Sequence, residues 1–285
     1  DYDDKLSDYS LAARDKSAAE AQALLDRLKA IPDAGLTDAG RANKGVLSRI
    51  LSEQIESNHF GQRLMLFTTY SSPHQGFADL GSYVPLYTKA DYRSYLTRLA
   101  QFPKINADII SITRQAIAKG FVQPCEAMKG FETTITGAIA GKPEDTRFYE
   151  PFKRNKPNDV SDADWAAMKA EGLRIIRDVL TPAYQQFSDF YVKEYKPKCA
   201  AKVGVSYQPG GKDYYAFQAR SHTTTDLTPA QIHDIGLSEV ARILTRMDTV
   251  AKQAGYADRQ SFIAKLRSDP TYYAKTPEAL MEAAA

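Results

Sequence analysis

Several things are scarce in this 285-residue sequence, and each scarcity narrows what the chain can be. There are two cysteines, Cys125 and Cys199, far apart in the sequence. Neither sits in a Cys-x-x-Cys pair, so a zinc knuckle is excluded. There are four histidines, His59, His74, His222 and His233. None is followed by glutamate at the next position and histidine at the fourth, so the helical His-Glu-x-x-His zinc motif is not in this sequence. Long apolar runs are missing: no stretch approaches the ~18 residues of a transmembrane helix. Lys/Arg runs are missing as well, and the formal net charge is only +2. That gives no electrostatic case for nucleic acid or for an anionic membrane surface. There is no internal repeat and no low-complexity tract.

What is present is ordinary for a water-soluble fold, with 43% hydrophobic and 25% charged residues. The length suffices for a sizeable core in one large domain or two smaller ones. The hydrophobic period is helical almost throughout. Ser17 to Ala30 reads as a helix with Ala18, Ala21, Leu24, Leu25 and Leu28 on one face. Thr37 caps a long helix to about Thr69. Pro73, Gly76, Gly81 and Pro85 mark Ser71 to Tyr87 as a loop. Thr88-x-x-Asp91 starts a helix to about Gln101, and Pro103 opens another that Gly120 closes. Lys142 to Asn158, with three prolines and many charges, reads as an exposed connector or loop. Ser161-x-x-Asp164 caps a helix to Tyr195 with a kink or break at Thr181-Pro182. Val203 to Tyr207 is short and β-prone, and Asp213 to Ser221 leans to a short helix. Thr228-Pro229-x-Gln231 is a capping box. The helix that it opens ends at Gly255, and short helices follow at Asp258 to Ser268 and from Pro277. The expected fold is all-α: long packed helices with a short irregular or β-prone segment near 203–225. It is read as one helical domain over 1–285 with a candidate sub-boundary in the 142–160 loop.

The densest chemistry lies in Pro209-Gly210-Gly211-Lys212-Asp213-Tyr214-Tyr215 and in Arg220-Ser221-His222-Thr223-Thr224-Thr225-Asp226-Leu227-Thr228-Pro229. The helix beyond carries Ile232-His233 and Gly236-Leu237-Ser238-Glu239-Val240-Ala241-Arg242-Ile243. A plain connector needs only turn residues. This stretch resembles a large bacterial family, domain of unknown function 885, whose members resemble zinc-dependent metallopeptidases of the gluzincin type. Tyr2-Asp3-Asp4-Lys5-Leu6-Ser7-Asp8-Tyr9-Ser10 and Tyr92-x-x-Tyr95-Leu96-x-Arg98-Leu99 carry the resemblance further. It runs from end to end of the sequence but covers only the N-terminal part of the family's length.

The resemblance implies that the zinc helix lies further along than Ala285. It also implies export to the bacterial periplasm, or lipid anchoring. The terminal Ala283-Ala284-Ala285 falls in mid-helix, so the sequence reads as the front portion of a longer protein. Two buried thiols would suit a cytoplasmic chain. The compartment that the resemblance implies favours instead a Cys125–Cys199 disulfide.

Each candidate residue has a functional and a structural reading. Tyr214 and Tyr215 would bracket a substrate side chain or donate a hydroxyl to an oxyanion, or pack as an amphipathic pair. Arg220 would hold a terminal carboxylate bidentately, or make a structural ion pair. His222 with Thr223, Thr224 and Thr225 would line a substrate groove by pairing with a peptide, or cap the following helix. His233 reads as packed, and His59 and His74 as structural or surface residues. Gly210-Gly211 reads as a tight turn, because no Lys-Ser/Thr follows as in a phosphate loop. Most of the 17 tyrosines read as helix-packing residues with satisfied hydroxyls.

The expected function is the N-terminal portion of a zinc metallopeptidase. It would form one wall of a peptide cleft and be inactive alone, with zinc belonging to the full-length parent and none bound by this chain. Its partners would be a peptide substrate and the C-terminal portion of the same protein. The alternative is a non-catalytic helical module that binds a peptide or a cell-envelope ligand.

Overall fold

Helices fill almost the whole of residues 4–285, which the computed structural model describes. Asp1, Tyr2 and Asp3 of the early segment lie outside the described residues. The chain divides into two compact units, Asp1–Tyr215 and Ala216–Ala285. The first unit holds α1 (Leu11–Lys29), α2 (Asp38–Ser57), α3 (Pro73–Ala78), α4 (Leu80–Tyr83), α5 (Lys89–Ala118), α6 (Phe131–Thr136), α7 (Glu150–Lys153), α8 (Asp162–Ile175) and α9 (Thr181–Phe190). Helix α10 (Gly211–Thr223) runs across the division, and the second unit continues with α11 (Pro229–Gln253), α12 (Arg259–Ser268) and α13 (Pro277–Ala284). Among the described residues there is no strand; one isolated bridge pairs Pro124 with Ala200. Among the described residues no helix is long and apolar enough to cross a membrane.

The helix starts follow local chemistry. Ser10, Thr37 and Ser161 each accept a bond from the backbone N–H three residues on. Thr88 and Asp91 form a reciprocal capping box at α5, and Thr228 and Gln231 form another at α11. Each satisfies amides that the first turn leaves without partners.

The centre of the first unit is a stack of aromatic rings. Phe67 stacks on Phe131 at 4.9 Å, Phe102 on Tyr184 at 4.6 Å and Phe77 on Phe102 at 4.5 Å. Buried tyrosines need partners for their hydroxyls. Tyr92 donates to Pro151 O, Tyr95 to Phe148 O and Tyr184 to His74 O, while Tyr195 accepts from Gln123 N–H. Burial pushes the Tyr195 hydroxyl up to about 12, so it stays protonated.

Four sequence expectations are corrected. Pro103 does not separate two helices: α5 runs through it, about 45 Å long at 1.5 Å per residue. An interior proline costs ~3 kcal/mol, and the unbroken buried face of Leu99, Phe102, Asn106, Ile109 and Ile110 offsets it. The 71–87 segment contains α3 and α4, with Phe77 buried among aromatic rings. Lys142 to Asn158 is not simply exposed: Phe148 and Phe152 are fully buried in the first unit's core. Helix α2 stops at Ser57 rather than near Thr69, and Phe60 turns out to meet the Tyr214 ring edge-on at 5.4 Å.

Val203 to Tyr207, read as β-prone, holds a 3₁₀ turn over Val205–Tyr207 entered through Gly204 at φ +112°. The β-branched valines flank a glycine conformation that no strand uses. The break read at Thr181-Pro182 takes the form of a wide π turn over Ile176–Leu180. There the Thr181 hydroxyl donates to the Ile176 carbonyl, in the turn that leads into Pro182.

Cys125 and Cys199 are joined, their Cα atoms 5.0 Å apart. Backbone bonds from Cys125 N–H to Ala200 O and from Ala200 N–H to Gln123 O, both 2.9 Å, zip the same junction.

Candidate functional site

The polar and aromatic stretch begins, in the first unit, with a corner that only glycine can make. Gly210 sits at φ +61°. At Gly211 a Cβ would stand 1.7 Å from the Val205 carbonyl oxygen, which is backbone and cannot swing away. The corner is held in place by Gln62, whose amide nitrogen donates to Gln208 Oε1 and to Pro209 O at 3.3 Å each. Tyr214 packs on Phe60. Tyr215 is 53% exposed and its hydroxyl makes no hydrogen bond among the described residues. The two tyrosines therefore differ: Tyr214 is half-buried against the Phe60 ring and Tyr215 is presented to solvent.

In the second unit, the Arg220 guanidinium lies over the Phe217 ring at 5.8 Å, and Phe217 is buried. Helix α10 ends at the threonine triplet. Thr223 donates from Oγ1 to Ala219 O at 2.8 Å and shares a 2.9 Å hydroxyl–hydroxyl bond with Thr225. Thr224 stands at φ +59°, the sole positive-φ residue other than glycine among the described residues. A β-branched residue in this region is strained, on the order of 1–2 kcal/mol. Its N–H bonds Arg220 O at 3.0 Å, which makes it the left-handed residue that closes the helix. His222, Thr224 and Thr225 are exposed. Three residues later Thr228 caps α11 through its own box with Gln231. The triplet therefore closes the preceding helix α10 with a residue that resists the turn, and the capping of the following helix that its structural reading gives it falls to Thr228 instead.

The remaining histidines are dispersed. His59 is exposed in the turn after α2, His233 is exposed on α11, and His74 is buried. Among the described residues no group of three or more His, Cys, Asp or Glu side chains is placed to hold a metal ion.

His74 has a role that the sequence did not reveal. Its Nδ1 is 2.9 Å from Ser72 Oγ and its Nε2 is 2.9 Å from Thr134 Oγ1. The rings of Phe131 and Phe187 lie 5.4 and 5.1 Å away. Burial holds the imidazole neutral and lowers its pKa to about 4, while the contact with Thr134 opposes the shift. On the solvent side of Thr134 is a polar cleft of about 330 Å³, lined by Gln75, Asp79, Thr133 and Arg147 among others. Arg147 and Asp79 bridge it at 2.6 Å. Partners 60 positions apart leave no local signal.

The family described as "Bacterial protein of unknown function (DUF885)" matches residues 1–285. A solved structure described as "the putative lipoprotein from Colwellia psychrerythraea" is similar in fold, with a TM-score of 0.83 at 20% identity. The match covers 99% of this chain and 50% of that one. The chain therefore spans half the length of this structural neighbour. No curated protein matches it.

Proposed function

The chain belongs to the bacterial family of unknown function DUF885, and from that premise we propose that it is the N-terminal portion of a zinc-dependent metallopeptidase of the cell envelope. Its Pro209 to Thr228 segment borders the peptide cleft. The observation that carries this reading is the end of α10, where an exposed His222 adjoins an exposed threonine held at φ +59°. Strain of this kind persists where the surroundings enforce it, and it concentrates at ligand-binding positions. A glycine would close the helix without steric strain, so Thr224 accepts strain while keeping an exposed side chain in the turn.

In this reading the zinc ligands lie outside the chain, because its own histidines are dispersed. What the chain supplies is recognition. The Tyr215 phenol and the His222 imidazole donate hydrogen bonds to substrate carbonyls. Thr224 and Thr225 present hydroxyls to the peptide backbone, and Arg220 attracts a carboxylate. Two further facts support the setting: the structural neighbour is twice as long as the matched part, and its description reads "putative lipoprotein". That description suits export, to the periplasm or to a lipid anchor.

The alternative reading is a non-catalytic module that captures peptides or cell-envelope ligands through the same exposed end of α10. The two separate in the full-length protein. There, Tyr215→Phe and His222→Ala should each lower peptide turnover while leaving Tm unchanged. Turnover equal to the parent's, or activity lost only in step with unfolding, would make the segment structural.

A further inference from the structure

The second unit carries an apolar helix face that its own elements leave bare. On α11, Val240 is 55% exposed and Ile243 45%, with Met247 and Val250 similarly open. These four recur at intervals of three, four and three. That is the spacing of a seam between two helices. Gly236, one step earlier on the same seam, has no atom within 4 Å of where a Cβ would stand. Toward its C-terminal end the seam becomes one wall of a groove of about 430 Å³, with Phe262, Ile263 and Leu266 of α12 opposite. Contiguous apolar surface of this kind marks an interaction site.

The rim of the groove is basic. Arg242, Arg246 and Arg259 line it. Arg242 is held by Glu239 at 2.7 Å and Arg259 by Asp248 at 3.2 Å. Arg246 has no ion pair among the described residues. The surface thus asks for a partner with an apolar stripe at three- and four-residue spacing and acidic residues beside it. The matched solved structure, with as much chain again outside the match, points to where such a segment comes from.

We propose that this groove seats an acidic amphipathic helix from the remainder of the same, longer polypeptide. The inference rests on the reading that this chain is a portion of a larger protein. It does not depend on what that protein hydrolyses. A second copy of the chain is the competing occupant, since α13 exposes Leu280 and Met281 between Glu278 and Glu282.

Thiol labelling tests the proposal without reference to activity. The two native cysteines are bonded to each other, so a single introduced cysteine reports alone. Ile243→Cys is placed in the 285-residue chain and in the full-length protein, with Met247→Cys as a second reporter. Val46→Cys, at a 59% exposed position of the first unit, is the control. Maleimide should modify positions 243 and 247 in the short chain about as fast as position 46. In the full-length protein it should modify them at least tenfold more slowly, with position 46 unchanged. Adding Arg246→Glu to the full-length protein should restore labelling severalfold. Equal labelling of position 243 in both proteins overturns the proposal. So does concentration-dependent protection in the short chain accompanied by a dimer in sedimentation, which assigns the face to a second copy. Protection that Arg246→Glu leaves untouched overturns the acidic partner.

Discussion

Lowering the pH from 7 to 5 should cost this protein about 2 kcal/mol of stability through His74 alone. The side chain is 1% exposed, enclosed by Phe131, Phe187 and Tyr184. Its ring nitrogens face neutral hydroxyls of Ser72 and Thr134, so nothing nearby offsets a positive charge. The imidazole titrates near 6.5 in the unfolded chain and at about 4 when buried. Between those values the unfolded state takes up the proton and the folded state does not. Stability therefore falls as pH drops through 6.5, and the loss is complete below 4. Its full size is about 3 kcal/mol, at 1.36 kcal/mol per pK unit, of which about 2 kcal/mol has accrued by pH 5. The assay is urea unfolding followed by circular dichroism at a series of pH values, for the parent and for His74→Gln. The glutamine keeps a polar side chain in place and cannot titrate. Other groups titrate alike in both proteins, so the difference isolates His74. The parent should lose about 2 kcal/mol relative to the variant between pH 7 and 5. Parallel pH profiles would refute the burial argument.

The remaining predictions concern the junctions that hold the site and the core. Reducing the Cys125–Cys199 bond should destabilise the protein by about 4 kcal/mol on the loop-entropy argument, and a thiol assay on denatured, unreduced protein should find no reactive thiol. Gly211→Ala should cost about 1–3 kcal/mol, the usual range for overpacking, because the new methyl meets the Val205 carbonyl oxygen; thermal unfolding measures it. Phe131→Ala should cost about 3–5 kcal/mol, since that ring is fully buried against Phe67 and Tyr191; denaturant unfolding checks it. Thr224→Gly should raise stability by up to about 1 kcal/mol by relieving the left-handed strain, and it should weaken peptide binding in the full-length protein, read by calorimetry.

The parts of the fold that were legible in the sequence are those fixed by neighbours along the chain. The capping boxes at Thr88 and Thr228, the cap at Ser161 and the helix end at Gly255 each need only a few consecutive residues. The proline in α5 was misread for the complementary reason. The local rule says break, but the buried face that carries the helix through is assembled by residues distant in sequence. The 71–87 and 142–158 segments read as loops because glycines and prolines recur through them at short intervals. Yet Phe77, Phe148 and Phe152 anchor them in the core. At the candidate site, residue density alone located the α10 end, and Gly210-Gly211 announced its own turn. The strain at Thr224 is a property of φ, which composition does not encode. The bare stripe on α11 was readable as amphipathic, but an amphipathic helix has the same sequence pattern whether its apolar face is covered or open.

The most direct measurement of the central claim is metal content together with peptide hydrolysis, made on the full-length protein and on this 285-residue chain. The account predicts one zinc per full-length molecule, hydrolysis that a chelator abolishes and zinc restores, and lowered turnover in His222→Ala at unchanged Tm. Hydrolysis by metal-free full-length protein, or stoichiometric zinc held by this chain alone, would contradict it.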